Sequence, residues 1–266
     1  MRLIIDIGGT YIRALIEEIN FYEKLLTKDI ELSEYISLKL KRYKIDEVLI
    51  SFAGQVYNGK ILSSPNINVK IKDIKSYIES KFDVKLKIEN DLNCAALAES
   101  KEHGDSLVAL YVGTGIGSGI IENGKLIRGF RNLAGEIGHI PYKKAPFKCG
   151  CGKDNCIELY ASGSGLKKWI EYYKLDLDVN LELIKKEAKN IYDEFERALL
   201  FASATMITLF NPKVLVLGGG VIKNNPYLVD IIKKNIKFYA LNISLKDIKI
   251  VKSNLKDASL KGAKLL

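Results

Sequence analysis

The chain has 266 residues, 47% of them apolar, and a formal charge of +9 from 41 Lys and Arg against 32 Asp and Glu. That length supports one large domain or two smaller ones. No run approaches the roughly 18 apolar residues of a membrane helix, and MRLIIDIGG is too short in its apolar part for a signal peptide.

The basic surplus is spread through helical patterns such as KDIKSYIESKF, with no interleaving of basic and aromatic residues. It reads as solvated helix faces and suits an anionic small molecule. The expectation is a cytoplasmic protein with neither nucleic acid nor membrane as partner. In such a reducing compartment cysteines are better metal ligands than disulfides.

RLIIDI at 2–7 reads as a buried strand, and YIRALIEEI at 11–19 as a second. Gly8-Gly9-Thr10 makes the turn between them. Glycines there let a phosphate approach the main chain, although an ordinary glycine hairpin has the same look. Asp6, at the end of the first strand, could orient hydrated magnesium.

Residues 31–43 have a helical pattern, and DEVLISFAGQV holds a strand closed by Ala53-Gly54. A hairpin is expected around Asn58-Gly59. Asn66 follows in a loop, either as a turn former or as a group offering a donor and an acceptor to a polyol. Residues 71–82 read as a helix, and VKLKIE as a strand ending at Glu89-Asn90-Asp91. A helix of small residues, LNCAALAES, comes next. Asp91 therefore stands where a strand gives way to a helix, as an N-cap or as a general base.

SLVALYVG is another buried strand, followed by Thr114-Gly115 and a hairpin around Asn123-Gly124. The glycines at 113, 115, 117 and 119 follow a strand but precede a second strand. A dinucleotide-binding fingerprint needs a helix there. Further on, 162–173 and 180–210 are mainly helical. VLVLGGGV is a strand with a three-glycine turn at 218–220, 226–238 is helical, IKIVKS a last strand and ASLKGAKLL a closing helix.

The run GEIGHIPYKKAPFKCGCGKDNCIE, 135–158, holds three of the four cysteines and one of the two histidines. His139, Cys149, Cys151 and Cys156 form an H-x9-C-x-C-x4-C set, the donor chemistry of a closed tetrahedral zinc site. Four protein ligands leave no position for a reacting water, so such a zinc is structural. A disulfide between two of the thiols, or plain surface cysteines, is the other reading. Glu136 and Glu158 frame the set.

Two pairs of segments echo each other. RLIIDIGGTYIRALIEE matches LVALYVGTGIGSGIIEN, and DEVLISFAGQV matches PKVLVLGGGVI. A duplicated α/β fold is the expectation, with one phosphate-facing hairpin in each half.

In this order, DIGGTYIR, the END at 89–91, VGTGIGSGI, GEIGH and CGCGKDNCIE resemble the ROK family, sugar kinases and related repressors of the actin-like ATPase superfamily. The resemblance covers most of the chain. It implies an actin-like (ribonuclease H-like) fold of two domains around a nucleotide and sugar cleft. The small domain would be 1–91 plus 253–266, and the large one 92–252.

It also implies roles. Asp6, Gly8, Gly9 and Thr10 would serve the first phosphate loop, and Gly113, Thr114 and Gly115 the second. Gly218 and Gly219 would lie near the adenosine. Asp91 would take the proton from the sugar 6-hydroxyl. Gly54, Asn66, Asn90, Asp91, Glu136, His139 and Glu158 would hold the sugar, with His139 using one ring nitrogen for zinc and the other for substrate. The implied cofactors are ATP, Mg2+ and structural Zn2+, and the implied assembly is a homodimer.

Tyr11 stands where the family often has lysine, and Ala53-Gly54 where it often has Pro-Gly. The chain starts on the phosphate hairpin without a helix-turn-helix ahead of it, which favours a kinase over a repressor. The expected activity is phosphorylation of a hexose, glucose first, at its 6-hydroxyl. N-acetylglucosamine or N-acetylmannosamine is the alternative substrate. A sugar-responsive regulator without catalysis and a zinc-stabilised ATPase acting on another partner are the other readings.

Overall fold

A computed structural model describes residues 1–64 and 67–266. They divide into two compact units, 1–102 with 126–134 and 255–266, and 103–125 with 135–254.

In the first unit the strands are β1 (Arg2–Ile7), β2 (Tyr11–Ile16), β3 (Phe21–Leu26), β4 (Glu47–Phe52) and β7 (Lys85–Asn90), in the order β3-β2-β1-β4-β7. A separate hairpin pairs β5 (Gln55–Tyr57) with β6 (Lys60–Ser63). β1 runs antiparallel to β2 and parallel to β4, which is parallel to β7. Its alternate residues feed two cores. Leu3, Ile5 and Ile7 join a cluster with Leu32, Tyr35 and Ile36 of α1 (Leu32–Arg42) and with Ile74 and Ile78 of α2 (Ile74–Glu79). On the other face Ile4 meets Cys94 of α3 (Asp91–His103), and Leu260 and Ala263 of α9 (Ala258–Ala263). A central strand buried on both faces reads as a continuous apolar run, and each fully buried Ile or Leu contributes about 1.5–3 kcal/mol.

Gly262 lets α9 lie against α3, because a Cβ there would come 1.7 Å from the Cys94 carbonyl oxygen.

The second unit repeats the strand order. β8 (Leu107–Val112), β9 (Ile116–Glu122), β10 (Lys125–Leu126, whose Leu126 falls in the first unit), β11 (Val214–Gly218) and β12 (Lys249–Lys252) run β10-β9-β8-β11-β12. β8 is antiparallel to β9 and parallel to β11, which is parallel to β12. The helices are α4 (Gly163–Tyr172), α5 (Leu181–Glu187), α6 (Lys189–Phe210), α7 (Gly219–Asn224) and α8 (Tyr227–Asn235). The two echoes in the sequence thus correspond to the first hairpin and the next parallel strand of each sheet.

Four details differ from the sequence reading. The second strand stops at Ile16 and passes into a 3-10 turn, Glu17–Ile19. The edge strand β3 was not expected. The helix expected over 71–82 is confined to Ile74–Glu79, where Asp73 caps it by accepting from the Ser76 amide at 3.2 Å. The three-glycine turn is short, since α7 begins at Gly219. Among the described residues no helix is long and apolar enough to cross a membrane.

Candidate functional site

In the first unit the Gly8–Thr10 tip closes the β1–β2 hairpin, with Gly8 N–H donating to the Tyr11 carbonyl at 3.0 Å. Thr27, just beyond β3, braces it twice. Its amide donates to the Thr10 carbonyl at 2.9 Å and its hydroxyl to the Gly8 carbonyl at 2.7 Å. A Cβ on Gly9 would meet nothing within 4 Å, so the tip is open to a ligand. The Lys24 ammonium lies 4.0 Å over the Tyr11 ring centroid, which places a cation beside the hairpin although position 11 has none. Neither Thr27 nor Lys24 carries a motif that the sequence could have flagged.

Asp6 is 2% exposed. One oxygen accepts the Ser51 hydroxyl at 2.7 Å, and the other accepts Arg13 Nε at 3.1 Å and Arg13 Nη2. Burial alone would lower the Arg13 pKa, but Asp6 and then Asp257 reverse the direction and hold it up. Both oxygens of Asp6, the residue expected to orient hydrated magnesium, are thus engaged within the protein.

At the end of β7, Asn90 is the cap of α3. Its Oδ1 accepts the amides of Leu92 at 2.9 Å and Asn93 at 3.2 Å, and its Nδ2 donates to the Gly54 carbonyl at 3.1 Å. Asp91 is the first residue of the helix, so the cap reading falls to its neighbour. Gly54 admits no side chain, since a Cβ would come 2.4 Å from the Ser63 carbonyl oxygen. Asn66 lies outside the described residues.

In the second unit the loop Gly113–Gly115 is tied to the start of α4. The amides of Gly163 and Ser164 donate to the carbonyls of Gly113 at 2.8 Å and Thr114 at 2.9 Å. Beside it is a cavity of about 620 Å³, lined among others by Gly113, Thr114, Leu166, Asn180, Gly220 and Val221. That volume is ordinary for a small-molecule or cofactor site. Gly218 and Gly219 are not in the lining and pack behind it. Their Cβ atoms would come 2.6 Å from the Tyr111 ring and 2.3 Å from the Val112 carbonyl oxygen.

The Cys/His set converges. One donor atom from each of His139, Cys149, Cys151 and Cys156 lies within 4.8 Å of all the others. Cys149 Sγ is 3.7 Å from His139 Nδ1, and Cys151 Sγ is 3.4 Å from Cys156 Sγ. A tetrahedron with metal–sulfur bonds of ~2.3 Å has edges of about 3.8 Å, so the donors fit zinc in number, type and spacing. All four cysteines are free, Cys94 included. Burial pushes the Cys149 thiol up to about 12, with the Glu158 carboxylate adding to it. The Lys153 backbone amide draws Cys151 down. A cation would deprotonate such a set.

The His139 ring points two ways. Nδ1 faces Cys149, and Nε2 is 3.9 Å from Glu136 Oε2. Glu158 lies on the thiol side, with Oε1 3.4 Å from Cys149 Sγ and Oε2 accepting the Ile116 amide at 3.3 Å. Gly115 and Gly138 make room for this packing. Their Cβ atoms would come 2.5 Å from Glu158 Oε2 and 2.4 Å from the Ile116 carbonyl oxygen.

Comparison with known proteins matches residues 2–266 to the family described as "ROK family". The chain is 32% identical over 230 residues to an N-acetyl-D-glucosamine kinase of Vibrio cholerae, covering 79% of this chain and 76% of the relative. It is 33% identical over 210 residues to a glucokinase of Halalkalibacterium halodurans, covering 69% and 63%. A crystal structure of a ROK hexokinase from Thermus thermophilus superposes with a TM-score of 0.82 at 25% identity, covering 99% of this chain and 96% of that one. The fold is the mixed α/β, actin-like ATPase fold of the sugar kinases.

Proposed function

The chain belongs to the ROK family, and we propose that it is an ATP-dependent sugar kinase acting on the 6-hydroxyl of a hexose. Glucose is the preferred substrate in this reading, and an N-acetylhexosamine the alternative. Relatives of both kinds support the class. The observation that carries it is the two-way orientation of His139, with Nδ1 toward the thiols and Nε2 beside Glu136. A zinc ion held by His139, Cys149, Cys151 and Cys156 would fix the loop and neutralise its thiolates. The second ring nitrogen of His139 and the carboxylates of Glu136 and Glu158 then read sugar hydroxyls, which are both donors and acceptors.

Phosphoryl transfer demands positioning and charge neutralisation more than covalent catalysis. The amides of Gly8–Thr10 and of Gly113–Gly115 bind donor phosphates in this reading. Magnesium, when bound, neutralises their charge. The nucleoside occupies the cavity beside Gly113 and Thr114. Asp91 accepts the proton of the attacking hydroxyl, which requires only an ionised carboxylate within hydrogen-bond reach. Asn90, as the cap, fixes the turn that carries it. The homodimer and the cytoplasmic setting belong to the same reading, and sedimentation velocity checks the first.

The test is release of ADP from magnesium ATP across glucose, mannose, fructose, glucosamine, N-acetylglucosamine and N-acetylmannosamine. Turnover is expected with glucose. Turnover only with the 2-acetamido sugars selects the alternative substrate, and no turnover from folded, zinc-loaded protein overturns the kinase reading.

A further inference from the structure

Glu89 precedes the Asn90–Asp91 turn and is 4% exposed. A buried carboxylate without partners is strongly unfavourable, and this one has donors from four residues. Its Oε1 accepts the Asn90 amide at 2.8 Å, Asn93 Nδ2 at 2.9 Å and Asn132 Nδ2 at 2.7 Å. Its Oε2 accepts Arg128 Nε at 2.8 Å. Asp91 lies in sequence between two of these donors, Asn90 and Asn93.

The other two donors come from 126–134, a segment that belongs to the first unit although its sequence neighbours on both sides belong to the second. The segment closes on itself, with the Ala134 amide donating to the Arg128 carbonyl at 3.1 Å. Asn132 adopts a left-handed backbone, φ +61°, unusual for a residue with a side chain. Both polar atoms of its side chain are engaged. Nδ2 also donates to the Val56 carbonyl at 3.0 Å, and Oδ1 accepts Asn93 Nδ2 at 3.2 Å. One carboxylate thus joins the first turn of α3 to a strap that starts some 40 residues away and ends one residue before Gly135 and Glu136.

We propose that Glu89 is the positioning residue of the Asp91 turn. With one oxygen it holds the Asn90 backbone amide before Asp91 and the Asn93 side chain after it, and it locks the Arg128–Asn132 strap against that turn with both. The inference rests on the reading of Asp91 as the base. Hydrogen bonds to a charged group are the strong kind, and a carboxylate can accept from all four donors at once.

The experiment exploits what an amide does there. In Glu89→Gln, Oε1 can still face the three amide donors, but Nε2 then opposes Arg128 Nε–H, a donor against a donor. With wild-type and variant proteins at equal zinc content and confirmed fold, kcat is expected to drop about tenfold or more. KM for ATP should stay within about twofold and the pH–rate profile should keep its limbs. Adding Arg128→Gln supplies an acceptor for that Nε2 and should restore kcat to within about threefold of wild type.

Wild-type kcat in Glu89→Gln overturns the inference, as does a loss that Arg128→Gln does not reverse. Disappearance of the limb assigned to the base would make Glu89 itself the proton acceptor and overturn it as well. Should the Glu89 variant not fold, Arg128→Met at its half-exposed position gives the same information. A several-fold fall in kcat is expected, and an unchanged kcat overturns the proposal. A wild-type protein that phosphorylates no sugar sinks the kinase reading and this inference with it. An active wild type with an equally active Glu89→Gln sinks the inference alone.

Discussion

Replacing Gly138 by alanine should disable sugar recognition while leaving nucleotide binding intact. Gly138 is the middle residue of the 3-10 turn Ile137–His139. An added Cβ would lie 2.4 Å from the Ile116 carbonyl oxygen, where ordinary contact begins at 3.4 Å. The obstacle is the backbone of β9, held by its pairing with β8, so the turn must move by about 1 Å. That turn carries His139 and follows Glu136. A misplacement of about 1 Å can cost on the order of 100-fold, or about 2.7 kcal/mol in the transition state. The control is Gly150→Ala in the same cysteine loop, where a Cβ meets nothing within 4 Å and φ is not positive. Coupled ADP release should show kcat/KM for the sugar falling about 100-fold for Gly138→Ala, with ATP KM unchanged and Gly150→Ala close to wild type. Equal activity in the two variants, or equal loss, would refute the steric reasoning.

Asp91→Asn should lower kcat by about 10²–10⁴-fold while unfolding temperature and zinc content stay at wild-type values; near-normal turnover removes the residue from its role. Stripping metal with a chelator should release one zinc per chain and weaken sugar binding at least about tenfold, and re-adding zinc should restore both. Metal analysis alongside titration calorimetry checks this, and full sugar affinity in metal-free protein would contradict it. Glu31 caps α1, and its oxygens accept the Ser33 hydroxyl and the amides of Glu34 and Lys70. Burial raises its pKa, but these hydrogen bonds outweigh burial and the net shift is downward. Its charged form therefore contributes stability above the unfolded value of about 4.3, and the contribution is lost as pH falls through the lower folded value. Glu31→Gln should cost about 1 kcal/mol at pH 7, with the deficit shrinking in urea melts below about pH 4; an equal deficit at both pH values would count against it.

The legible parts of the fold were those where local chemistry and burial agree. Asn58-Gly59 and Asn123-Gly124 turn their hairpins with positive φ at both residues, as an Asn-Gly pair favours. β1 and β8 are apolar almost throughout because neighbours cover both faces. β3 was not legible because an edge strand needs no apolar signature, and FYEKLL exposes four of its six residues. The helix starting at Gly219 was hidden by three glycines, which mark a turn but not its length. In the site, the spacing of His139 and the cysteines was enough to identify one donor set. The capping by Asn90 was not legible, because Asn and Asp are comparable caps and stand side by side. The Glu89 hub was out of reach of any local reading, since Arg128 and Asn132 follow it by 39 and 43 residues.

The two sheets share one strand order, yet their equivalent hairpins are secured differently, a difference that suits the separate tasks given them in the proposed function. The first tip, Gly8–Thr10, is held from behind by one threonine of the neighbouring segment, and Gly9 remains open. The second loop, Gly113–Gly115, is held by the leading amides of α4. Those amides are engaged with the loop carbonyls, but the positive end of the helix still lies beside the loop and favours an anion there. The segments after the next parallel strand diverge too. After β4 the chain turns at Gly54 into the β5–β6 hairpin, and Gly54 offers its carbonyl to Asn90. After β11 it enters α7 at once, and Gly220 and Val221 become a wall of the cavity. In the proposed function, one duplicated scaffold supplies a supported turn for the base in one unit and a volume for a nucleoside in the other. After the equivalent parallel strand, a hairpin follows in one unit and a helix in the other.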